Sequence, residues 1–213
     1  MNAVILLFIA LVAVVIIYGV IQSAKRRKDM EALAPQVEME FAPYDPFDLP
    51  AKHADMLAFS KGHSRRAYNT LYTKKDGHRI VVTDYKYTEG SGKNSHTYYE
   101  TYCIMDTDRQ FARLQIRPEN FLDTVASWVG FDDIDFESSE FNDAFYVRCD
   151  DKKFAYEIIH PQMMQYLLGY RGLHLEMAGK SVLAHYGRTL PIDRIPALVQ
   201  AVQDIVRLLP AYS

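Results

Sequence analysis

Twenty consecutive residues without a charge, Ala3 to Gln22, are followed by Ser23-Ala24 and then by Lys25-Arg26-Arg27-Lys28. At roughly 1.5 Å per residue a helix of that length reaches roughly 30 Å, the hydrocarbon thickness of a bilayer, and lipid offers the backbone no hydrogen-bond partner but itself. The run therefore predicts a single membrane-spanning helix over residues 3 to 22. Four basic residues flank its C-terminal end, whereas only Met1 and Asn2 precede it, so the charge bias places the rest of the chain in the cytoplasm and the N-terminus outside. A cleaved signal peptide needs its basic residues on the other side and a small-x-small exit, and Gln22-Ser23-Ala24 does not supply one.

The sequence divides into a membrane anchor with its membrane-proximal basic flank (residues 1–28), a Pro-rich acidic linker (29–50) and a cytoplasmic domain (51–213). The whole chain has 24 basic and 27 acidic residues, and four of the 24 lie in the flank. The remainder is therefore acidic, which argues against a nucleic-acid surface. Cys103 and Cys149 are the two cysteines, too few for a disulfide framework or a cysteine-rich zinc site, although they leave room for one bridge. Pro35, Pro43, Pro46 and Pro50 interrupt the linker, which is expected to hold the domain off the bilayer.

Within the domain, a short helix is expected from about Pro50 to Phe59. Arg66–Thr73 and His78–Thr88 read as strands around an Asp76-Gly77 turn, and Ser95–Asp106 and Phe111–Arg117 as a third and a fourth. In the second strand Val81, Thr83, Tyr85 and Tyr87 share one face, while Ile80, Val82, Asp84 and Lys86 share the other. Pro118 opens a helix striped by Phe121, Leu122, Val125, Trp128 and Val129. Asp133, Asp135 and Glu137 would share a face of a solvated edge strand. They could attract a divalent cation, but Ser138 and Ala144 stand where an EF-hand needs glycine and a carboxylate. The loop Glu89–Asn94 fails the phosphate-loop spacing at Tyr87 and Asn94. Helices are expected from Asp151 to Ile159, from Pro161 to Leu168, and from Ile195 to Leu209.

The run Phe136-Glu137-Ser138-Ser139-Glu140-Phe141-Asn142-Asp143-Ala144-Phe145-Tyr146-Val147 resembles one in an uncharacterised family of bacterial membrane-anchored proteins, a domain of unknown function. Asp150, the turn His160-Pro161-Gln162-Met163-Met164 and the strand Asp84-Tyr85-Lys86-Tyr87 are also similar, so the resemblance extends from Phe59 to about Leu209. It implies no activity, substrate or catalytic residue.

One constellation could carry chemistry. Leu173–Met177 and Ser181–Tyr186 read as a hairpin across Ala178-Gly179, with Leu175 opposite Val182 and Leu173 opposite Ala184. The other face then gathers His174, Glu176 and His185, the two histidines being diagonal neighbours about 7 to 8 Å apart. Two imidazoles and a carboxylate suffice for zinc or iron, and the plain alternative is that they cover a half-exposed sheet face. The expected fold is α+β, a largely antiparallel sheet covered by amphipathic helices on one face. The expected role is a single-pass membrane protein presenting a non-catalytic interaction domain with no cofactor. Its partners would be the bilayer and another protein, with anionic lipid a further candidate through Lys25, Arg26, Arg27 and Lys28. The alternative is a metal-dependent hydrolase using His174, Glu176 and His185.

Overall fold

The computed structural model describes residues 3–75, 77–119 and 134–210. The helix expected over Phe121–Val129, with Trp128, and Asp133 of the acidic run lie outside these residues. The fold is α+β: a long apolar helix, then an antiparallel sheet with helices. Helix α1 (Ala3–Leu33) is long and apolar enough to cross a membrane. It does not stop at the basic run, because Asp29-Met30-Glu31-Ala32-Leu33 are all tolerated in a helix and Pro35 first ends it. From Met30 onward its inner face enters the core, Met30 being fully buried and Leu33 and Ala34 nearly so.

The segment expected to be a linker is therefore part of the fold. After a 3-10 turn at Ala34–Val37, strand β1 (Glu40–Tyr44) pairs with β2 (His63–Lys75) through Phe41↔Leu71 and Tyr44↔Tyr68. Met39, Ala42 and Leu49 are buried, and Pro43 is tolerated because β1 is the sheet's edge. The expected helix after Pro50 is two single turns, α2 (Leu49–Lys52) and α3 (Leu57–Ser60).

Strand β3 (His78–Glu89) pairs with β2 as a hairpin closed at Lys75↔His78, and its two faces divide as their alternation predicts. The expected third and fourth strands are one strand, β4 (His96–Pro118). Its first half pairs with β3 and its second with β5 (Phe145–Cys149), while β6 (His174–His185) runs along both halves. The order is β1-β2-β3-β4-β5 with β6 also on β4. Ile134–Glu137 forms no edge strand, although the Ile134 N–H donates to the Val147 carbonyl at 3.1 Å.

Ala178-Gly179 does not turn a hairpin. Leu175 pairs with Ile116 and Val182 with Met105, so both halves of β6 find their partners in β4. Two residues eleven apart in a straight strand would be separated by roughly 35 Å. The rings of His174 and His185 lie 4.6 Å apart, so the β4–β6 ribbon folds back on itself, at Gly179 (φ +55) on one strand and at the register shift between Asp106 and Phe111 on the other.

Both sheet faces are covered, where one was expected. The larger core joins the end of α1 to α5 (Lys152–Ile158), α6 (Pro161–Leu168) and α7 (Ile195–Leu208), and includes Val82, Cys103, Leu175 and Val182. The smaller core fills the concave side of the folded ribbon beneath α2 and α3 with Phe59, Tyr85, Tyr102, Ala178 and Leu183. Cys103 and Cys149 are both free and buried.

The Phe136–Val147 run has a structural explanation. Ser138 caps α4 (Ser139–Ala144) by accepting from the Phe141 N–H, and the Asn142 amide bonds both backbone groups of Phe136, at 3.0 and 2.9 Å. Phe136 then meets Phe141 edge to face at 5.5 Å, and Phe141 meets Phe145 at 5.2 Å with the rings tilted. Asp151 caps α5, accepting from the N–H groups of Lys153 and Phe154. Asp151→Ala should cost about 1 kcal/mol, read as a fall of roughly 2 to 4 °C in the melting temperature of the full chain in detergent.

Candidate functional site

The folding of the β4–β6 ribbon brings His174, Glu176 and His185 together as the sequence suggested, by a different route and in the interior. All three are at most 5% exposed. His174 and His185 stack face to face, their planes 23° apart. Imidazole lone pairs lie in the ring plane, so near-parallel stacked rings do not aim them at one point. The Glu176 carboxylate is engaged by the Ala58 N–H of α3, 3.2 Å from each oxygen. Among the described residues no group of three or more His, Cys, Asp or Glu is arranged to hold a metal ion.

What the cluster does form is a buried polar knot that ties α3 to the sheet. Glu100, which no local sequence pattern singles out, places Oε2 2.9 Å from His185 Nδ1 and accepts from the Tyr87 hydroxyl on Oε1. The Oε2 contact is close but lacks hydrogen-bond alignment, so its strength is mainly electrostatic. The Gly187 N–H lies 3.1 Å from the same Nδ1, which accepts it only when that nitrogen carries no proton and so not while it serves Glu100, and Tyr102 donates its hydroxyl to the Ala58 carbonyl.

Burial, with His185 and Lys61 adding to it, pushes the His174 imidazole down to about 2. Burial works to raise Glu100, but the pull of His185, with Lys61 and the hydrogen bond from Tyr87 adding to it, outweighs burial and holds the carboxyl at about 2. Glu176 is raised by burial against the opposing effects of His185 and the Ala58 N–H. His174 is thus neutral in the fold, and the ionised Glu100 stands against His185, its Oε2 buried without a hydrogen-bond partner among the described residues.

A second polar site lies where α1 meets the sheet. Arg26 points inward rather than to solvent. Its guanidinium grips Asp84 with two bonds, 3.1 and 2.8 Å, donates to the Leu190 carbonyl at 2.8 Å, and reaches the Thr101 hydroxyl. Asp84 is 2% exposed and accepts further from Asn69 and Thr101. Asn69 itself sits in the left-handed region (φ +49), a conformation asparagine tolerates better than most residues.

The other members of the basic run are distributed differently. Lys25 and Lys28 face solvent, while Arg27 lines a groove of 580 Å³ between α1 and the sheet. The opposite wall of that groove includes Arg66, Lys86 and Tyr99. Gly19, Gln22, Ser23, Arg26, Arg27 and Met30 follow helical spacing, so one continuous stripe of α1 faces the groove and then the core. The Arg26–Asp84 pairing spans 58 residues and left no local signal in the sequence.

No family model and no curated protein matches the chain. Among solved structures, the crystal structure of the mycobacterial trehalose monomycolate transport factor A is similar, with a TM-score of 0.60 at 11% identity, over 88% of this chain and 97% of that one. At that identity the likeness is one of fold.

Proposed function

We propose that this chain is a single-pass membrane protein that holds a non-catalytic binding domain against the cytoplasmic side of the membrane, as an accessory component of a membrane-embedded assembly. The observation that carries this reading is the unbroken passage of α1 from its apolar run into the core, clamped by Arg26 on buried Asp84. A domain on a loose tether samples all orientations, whereas one built onto its own membrane helix offers the same face to any neighbour in the same bilayer. Binding is then favoured because less orientational freedom is lost. The similar fold of the trehalose monomycolate transport factor supports an accessory role in transport.

Affinity capture of the full chain from detergent-solubilised membranes tests the reading. A stoichiometric integral membrane partner is expected, and a chain that always elutes alone would overturn it. Activity of alkaline phosphatase fused after Ser213 would overturn the cytoplasmic assignment.

A further inference from the structure

We propose that the groove between α1 and the sheet binds the phosphate of an anionic phospholipid headgroup, gripped by Arg27 of α1 and by Arg66 and Lys86 of the sheet. The proposal rests on α1 spanning the bilayer and adds to that reading a specific ligand and its residues.

Depth comes first. With the apolar run ending at Gln22, Arg27 lies roughly 7 to 8 Å further along the helix, within the headgroup layer that borders the hydrocarbon core. Gly19 and Gln22 belong to both the span and the groove lining, so the groove opens directly onto lipid. At Gly19 no heavy atom lies within 4 Å of where a side chain would begin, which leaves room for the top of an acyl chain against the helix.

Charge comes second. Four cations line the groove, Arg26, Arg27, Arg66 and Lys86, against the single carboxylate of Asp84, and Arg26 is already bound to that carboxylate. Arg27, Arg66 and Lys86 have no ion pair or side-chain hydrogen bond to any described residue. Arg66 and Lys86 are held side by side by the strand register, with Tyr99 next in the same row. Three adjacent cations brought together by a helix and two strands repel one another, and an anion relieves that repulsion.

The polar lining adds a third point. Asn69, which lines the groove, is 2% exposed, and its side-chain oxygen is buried without a hydrogen-bond partner among the described residues. The phosphate of an anionic headgroup, as in phosphatidylglycerol, matches the cations that line the groove. Tyr99 and Tyr44, 53% and 61% exposed on the same sheet face, suit the interfacial layer on either side of the groove.

The full chain, reconstituted in bilayers of phosphatidylcholine with a minority of phosphatidylglycerol and re-extracted in mild detergent, should retain one phosphatidylglycerol by native mass spectrometry. Arg66→Gln with Lys86→Gln should lower that retention by about tenfold or more, since each cation near an anionic headgroup contributes appreciably. Lys152→Gln with Lys153→Gln, an equal charge change elsewhere, should leave it intact, and unchanged melting curves would show that both variants fold. Equal retention of the two lipids, or equal loss in both double variants, overturns the site. Displacement of the lipid by excess inorganic phosphate at equal potency would reassign the groove to a soluble phosphate and overturn the headgroup. Release of the chain from membranes by alkaline carbonate would instead overturn the spanning helix itself.

Discussion

Asp84→Ala is expected to destabilise the full chain by about 3 to 5 kcal/mol, the usual consequence of removing one partner of a buried ion pair and leaving the other without compensation. The substitution removes the acceptor for Arg26, for the Asn69 amide and for the Thr101 hydroxyl together. Arg26 retains the Leu190 carbonyl but loses its anion. Removing both charges with Arg26→Met and Asp84→Leu should cost much less, because apolar replacements of a buried pair are often near neutral. Chemical unfolding in micelles measures the difference. The clamp also makes a mechanical prediction. Spin labels at Val14 and Tyr156, both exposed, should report a narrow distance distribution in the native chain and a broad one in Asp84→Ala. A native-like distribution and a cost below about 1 kcal/mol would show that the pair is only a surface contact.

This clamp marks the limit of what the sequence could reveal. The anchor was legible because bilayer thickness imposes a length and a polarity on it, and β3 because its alternation is covered on both faces. Residues 29–50 read as a spacer because four prolines interrupt them, which says nothing of what the segment packs against. Pro35 ends a helix and Pro43 sits in an edge strand, and what holds the segment down is long-range: Met30 and Leu33 in the core, β1 on β2. The same limitation explains β6. A small residue and a glycine, Ala178-Gly179, signal a two-residue turn, but the same pair serves a strand that bends sharply when another long strand pairs with both of its halves. The ring contact of His174 with His185 thus arises from the bend and not from a turn, and the burial of both with Glu176 left no signal because polar side chains read as surface. Glu100 lies in a run of tyrosines and threonines with no local pattern to set it apart.

Acidification provides the other large effect, and its sign follows from the buried histidines. His174 is held down to about 2, and His53 to about 4 chiefly by burial and secondarily by Lys52. His53 stacks on Phe59, and its Nε2 is buried without a hydrogen-bond partner among the described residues. A base whose pKa is lower in the fold than in the open chain takes up its proton preferentially on unfolding. Its contribution is thus complete above the ordinary histidine value of 6.5 and is lost as the pH falls below it, down to about 4 for His53 and about 2 for His174. At pH 5 each should have forfeited on the order of 2 kcal/mol. Glu100 acts at lower pH with the same sign: its carboxyl, depressed from 4.5 to about 2, stabilises the fold above that interval and ceases to do so as the pH falls through it. Glu176, raised by burial, works in the opposite direction, relieving a cost as it protonates. The net expectation is a fall of about 4 kcal/mol between pH 8 and pH 5, measured as urea midpoints in micelles, before most surface carboxylates titrate. His174→Phe, which keeps a flat ring against His185, should remove about half of that slope. A flat profile between pH 8 and pH 5, or an undiminished slope in both His174→Phe and His53→Phe, would mean that these imidazoles are solvated and that the knot beneath α3 is open to water.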